Sequence, residues 1–268
     1  MPYLIGFLIA LFIALTGVGA GTLTVPVLVL FLAVPAPLAV GIGLVFSAAV
    51  KLILVPMQIL HRNVAWRTLG YMLLGGVPGV LIGSFFLRQL MTAGSQNLLN
   101  ALLGAILVAT ASWQILYSFR PMQERSNARD RSRLLSLLMF PVGAEVGFSS
   151  AGAGALGSAA LLSLTPLAPA QVVGTDIAFG FTVSLIGSGA HWFSQASDPV
   201  LLLQLIAGGI AGAIGGTLLS SRVPRRPLRI ALWIWLLILG GQFLVNSFEG
   251  RGISPKQAAT RVQASHLR

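Results

Sequence analysis

Two glycine-dense runs, Thr16-Gly17-Val18-Gly19-Ala20-Gly21-Thr22 and Ser149-Ser150-Ala151-Gly152-Ala153-Gly154-Ala155, interrupt otherwise apolar sequence. Glycine at that density breaks a helix. The second half of a broken helix begins with unpaired backbone N–H groups, and the positive end of its dipole points to the same place. Where Gly19, Gly21, Gly152 and Gly154 carry no side chain, an anion can come close to that backbone. Hydroxyls at Thr16, Thr22, Thr24, Ser149, Ser150 and Ser158 add donors. The chemistry these runs suggest is capture of a small oxyanion. The competing reading is that the breaks serve only close packing.

Three ionisable residues fall inside apolar stretches: Lys51, Glu145 and Asp176. Such residues are costly in a membrane, and a functional role is their default reading. Asp176, Gly180, Ser184, Gly187 and His191 lie along one helical face. A second such face reads Gly43, Ser47, Lys51, Leu54 and Gln58. Two small, polar stripes on greasy helices suit a cavity wall, or alternatively a helix seam in which Lys51 and Asp176 pair structurally. Glu145 suits either a coupling proton or a salt bridge to a membrane-facing arginine. The expected binding set is therefore Lys51, Gly19, Gly21, Thr22, Ser47, Gly152, Gly154, Ser150 and Thr175, with Glu145, Asp176 and His191 as coupling or gating groups.

Enzymatic readings are weaker. Gly17-Val18-Gly19-Ala20-Gly21 resembles a dinucleotide loop but has no strand around it. Ser188 and His191 sit three apart on one helix with nothing to form an oxyanion hole, His61 and His266 lie in a loop and the tail, and there is no cysteine. No catalytic residue, metal site or cofactor is expected.

The elements that must position these residues follow from composition. Of 268 residues, 56% are hydrophobic and 9% charged, against roughly a quarter charged in a soluble domain. The class is an all-α polytopic membrane protein. A bilayer core of about 30 Å needs about 20 apolar residues per helix. Eight regions qualify: 3–33, 37–60, 68–88, 97–118, 134–165, 170–193, 199–220 and 226–248. The first and fifth are overlong, and each contains one glycine break.

Sliding the chain by 133 positions puts Gly19, Gly21 and Leu23 on Gly152, Gly154 and Leu156. It also puts Phe46 and Val50 on Phe179 and Val183, and Gly75, Gly79 and Gly83 on Gly208, Gly212 and Gly216. Two homologous four-segment repeats are expected, 1–118 and 134–248, joined by an Arg-rich cytoplasmic linker, 119–133, and followed by a basic tail, 249–268. The glycine stripes read as close helix packing, and Trp66, Tyr71, Trp113, Tyr117, Trp192, Trp233 and Trp235 as interfacial anchors.

The net charge is +11, with 17 basic and 6 acidic residues. In a soluble protein this would suggest nucleic acid. Here almost all basic residues lie in loops, where they record topology. Arg62 and Arg67 mark one loop of the first half as cytoplasmic. In the second half the corresponding loop has no basic residue, and the next has Arg222, Arg225, Arg226 and Arg229. Opposite signatures on equivalent loops suggest inverted repeats, with the first and fifth segments re-entrant and both termini external. The basic tail fits better with eight plain spans and cytoplasmic termini, so that alternative stays open.

Taken as a set, several motifs resemble the TauE/SafE family of sulfite exporters, also called the four-toluene sulfonate uptake permease family. They are Thr16 to Pro26, Ser150 to Gly157, Ala39-Val40-Gly41 leading to Lys51, Asn63-Val64-Ala65-Trp66, and Val173-Gly174-Thr175-Asp176-Ile177 with His191 beyond. The family's Thr-Asp pair survives only as Thr175-Asp176. Ile42-Gly43 stands in the first half, and Phe179 stands where similar sequences carry histidine. The resemblance implies a secondary transporter of sulfur-containing oxyanions (sulfite, sulfonate or thiosulfate type) in the bacterial inner membrane. The expected partners are the anion, the lipid bilayer, a proton as coupling ion and a second copy in a homodimer, with no nucleic acid. Alternatives are carriage of another small anion, such as a carboxylate, and a non-transporting scaffold or sensor.

Overall fold

A computed structural model of the chain describes residues 2–16, 19–32, 34–92, 96–118, 131–151, 154–192, 199–219 and 225–248. The described residues form helices and no strand: α1 (Pro2–Thr16), α2 (Ala20–Phe31), α3 (Ala36–Leu60), α4 (Trp66–Thr92), α5 (Gln96–Ser118), α6 (Leu134–Ser149), α7 (Ala155–Leu164), α8 (Pro169–Trp192), α9 (Pro199–Leu219) and α10 (Arg225–Phe248). Five described segments are long and apolar enough to cross a membrane, in α3, α4, α5, α8 and α9. The many exposed large apolar side chains, among them Phe85 and Leu137, fit a lipid-facing surface. The chain is a multi-pass helical membrane protein.

Both overlong regions break at their glycine runs, giving α1/α2 and α6/α7. The α6–α7 hairpin folds back fully: the Arg131 N–H donates to the Leu164 carbonyl at 3.0 Å, so the start of α6 and the end of α7 meet at one end of the bundle. Arg67 and Arg133 both reach the Tyr71 hydroxyl, which places the start of α4 at that same end.

The glycine stripes set the helix pairing. A methyl group at Gly75, Gly79 or Gly83 of α4 would strike the backbone of Ser136, Phe140 or Ala144 of α6. One at Gly208, Gly212 or Gly216 of α9 would strike Tyr3, Phe7 or the Leu11 and Ala14 region of α1. Both pairs run parallel, and both need small residues for backbone contact. Gly76 lies under Phe179 and Val183 of α8, just as Gly209 lies under Phe46 and Val50 of α3.

In the centre α3 and α8 are antiparallel: Gly187 meets Leu44, Ser184 donates to Ser47 at 3.1 Å, and Gly174 packs on the Asn63 carbonyl. Outside them α5 and α10 are antiparallel, with Gly104 against Gly240 and the Ser247 hydroxyl bonded to the Asn97 carbonyl. Trp66 and Trp113 are exposed as anchors should be. Trp233 is not, being buried in the bundle. Its position near a segment end masked which way its ring turns. The linker Arg120, Arg125 and Arg129, and the basic tail, lie outside the described residues.

Candidate functional site

The two breaks converge. A Cβ on Gly19 would lie 3.0 Å from the Gly154 nitrogen, so the cap of α2 faces the cap of α7. Neither Gly19 nor Gly154 has a side chain to cap with, and neither cap position makes a side-chain hydrogen bond to its half-helix. Thr22 is buried in the first turn of α2.

Ser150 sits between them in the left-handed conformation, φ 62°, closing α6 through its N–H to the Val146 carbonyl at 2.8 Å. Only small neighbours allow this. A methyl group on Gly21 would overlap the Ser150 backbone, and one on Gly43 of α3 would come within 2.9 Å of the Ser150 oxygen. The Ser150 hydroxyl is buried, with no hydrogen-bond partner among the described residues. An unpaired buried hydroxyl costs about 1–3 kcal/mol, a cost that a bound anion would offset. Ser47 lies one turn along α3 from Gly43, bonded to Ser184.

Lys51 follows one turn further and is 7% exposed. It is within electrostatic range of Asp176 on α8. Asp176 is itself held against the first turns of α7: the Ser158 hydroxyl donates to its Oδ2 at 2.7 Å, and a methyl on Gly157 would overlap its Oδ1. The positive start of α7 and Lys51 thus share an internal carboxylate. Gly43, 133 positions before Asp176, brings no carboxylate to α2.

Gly19, Gly21, Thr22, Ser150, Gly154, Ser47, Lys51 and Asp176 therefore lie along one path between the breaks and the α3–α8 seam. Two of the expected residues lie apart from it. Thr175 accepts a hydrogen bond from the Ala65 N–H at 3.0 Å, tying α8 to the α3–α4 turn. Glu145 accepts one from Thr110 of α5 at 2.6 Å and has no arginine partner among the described residues. Gly152 lies outside the described residues, as does the side chain of His191. Gly43 and Ser158 gained their roles from helix rotation, which spacing along one helix does not reveal.

The model for the sulfite exporter TauE/SafE family matches residues 3–243, nearly the whole chain. The chain belongs to that family. It is a membrane transporter family, which agrees with the absence of an enzymatic reading. A relative in Bacillus subtilis (strain 168), described as a probable membrane transporter protein YjnA, is 28% identical over 205 residues, covering 74% of this chain and 81% of the relative. No solved structure matches.

Proposed function

We propose that this TauE/SafE member is a secondary transporter of small sulfur-containing oxyanions, in the bacterial inner membrane, that binds its substrate where the two helix breaks meet. The observation that carries the reading is the Gly19–Gly154 convergence around the unpartnered Ser150 hydroxyl. Two half-helix N-termini and a hydroxyl form a compact positive site in low dielectric, and Lys51, two turns along α3 from Gly43, adds positive charge to it. Asp176 acts as a gate by competing with the substrate for Lys51 and for α7, and His191, further along the same face, belongs to that gating set.

Alternating access follows from two inverted halves, 1–118 and 134–248. The reading is supported by the matched pairs α1–α9 and α6–α4, whose contacts recur at the 133-residue offset, and by the hairpin whose ends meet beside Arg131. Each half lends its broken segment to the other, so rocking one half against the other alters the site between the breaks.

Proteoliposome flux with labelled sulfite, thiosulfate, an alkyl sulfonate and a carboxylate tests this. Movement of the sulfur oxyanions above the carboxylate is expected. Faster carboxylate flux would replace the substrate class, and no flux of any anion would favour a scaffold.

A further inference from the structure

Glu145 is a buried carboxyl that the anion path does not use. It projects from α6 into a cavity of about 440 Å³ bounded by α4, α5 and α6. The wall is apolar apart from Thr110 and Glu145 itself, with Ile82, Phe86, Ile106, Pro141 and Phe148 among its residues. Ile82 and Phe86 at its edge are 53% and 54% exposed, which on a membrane helix means facing lipid. Among the described residues no other titratable side chain lines it from any of the three helices.

The Thr110 oxygen lies 2.6 Å from the Glu145 Oε1 and 2.7 Å from the Ile106 carbonyl oxygen. A threonine hydroxyl carries one hydrogen. The Thr110 hydroxyl lies between both acceptors and is, among the described residues, the one polar side chain that meets the Glu145 carboxyl in an otherwise apolar cavity, a setting in which the neutral acid costs far less than a carboxylate.

We propose that Glu145 is a proton-binding site opening laterally to the lipid, separate from the anion path and joined to it through α6. The Glu145 carbonyl accepts from the Ser149 hydroxyl at 2.9 Å, and the Ser149 oxygen accepts the Ala151 N–H at 3.2 Å. Glu145 thus stands one turn before Ser149, the residue preceding Ser150. Loss of its proton leaves a carboxylate in an apolar cavity, a cost that favours the protonated acid there. The ligand of this second site is a proton.

A hydrophobic carbodiimide tests the site. The acid proton goes to one carbodiimide nitrogen, the carboxyl oxygen bonds to the central carbon, and migration of the acyl group to the other nitrogen leaves a stable N-acylurea with no leaving group. With purified full-length protein in liposomes, dicyclohexylcarbodiimide is expected to modify the Glu145 peptide more than a water-soluble carbodiimide does. No modification of that peptide in folded protein, or equal or greater modification by the water-soluble reagent, overturns the proposal. Infrared spectroscopy gives a second readout: a neutral-carboxyl C=O band that disappears in Glu145→Gln and moves to higher frequency in Thr110→Val. Absence of such a band in wild type overturns the proposal as well. Neither measurement needs a transported anion, so both remain decisive if the sulfur-oxyanion reading fails.

Discussion

At the residue scale, glycine sorts into two kinds by what a methyl group would meet. At Gly21 it would meet the Ser150 backbone; at Gly70 it would meet nothing within 4 Å. Gly21→Ala is therefore expected to lower stability by about 1–3 kcal/mol, the usual cost of overpacking. Gly70→Ala, in an exposed turn of α4, should be neutral or raise stability by up to about 1 kcal/mol through helix propensity. Thermal melting of the purified protein in detergent compares them, and equal melting temperatures would contradict the close approach at the break. Lys51 and Asp176 could be read as intramembrane charges from the sequence, because ionisable residues stand out against apolar neighbours. The pairing of Glu145 with Thr110 could not, since it depends on how α5 and α6 are rotated against each other, which a single helix's spacing does not record.

At the element scale, the parallel pairs α4–α6 and α1–α9 rest on the same device, glycine at four-residue spacing against a neighbouring backbone. Gly79→Leu would drive a side chain into the Phe140 carbonyl, and Gly212→Leu into that of Phe7. The two are expected to lower the melting temperature comparably and to reduce folded yield on size-exclusion chromatography. Gly215→Leu, which faces open space, should do neither. If Gly79→Leu and Gly212→Leu differ widely, the two pairs are not equivalent. The glycine seams and the breaks were legible in the sequence because glycine spacing survives in the letters. That α1 packs on α9 and α6 on α4, across the halves, was not, because two similar halves can pair within themselves or with each other and the sequence pattern fits both.

At the scale of the whole molecule, the helix directions bring the starts of α4 and α6 and the end of α7 together beside Arg67, Arg131 and Arg133. If that end is cytoplasmic, as the basic residues suggest, the loop between α8 and α9 lies on the opposite side. A single cysteine at Ser197, in this cysteine-free chain and outside the described residues, is then expected to react with an impermeant thiol reagent added outside the cell, and reaction only from inside would contradict inverted halves. The central claim, that the anion is held between the breaks with help from Lys51, is tested most directly by flux of the best-carried anion into proteoliposomes containing equal amounts of folded wild type, Ser150→Ala and Lys51→Gln. Losing a hydrogen bond to a charged ligand costs about 1.5–3 kcal/mol, so about a ten-fold or greater loss of transport at limiting anion is predicted for both variants, whereas wild-type flux in both would contradict the site.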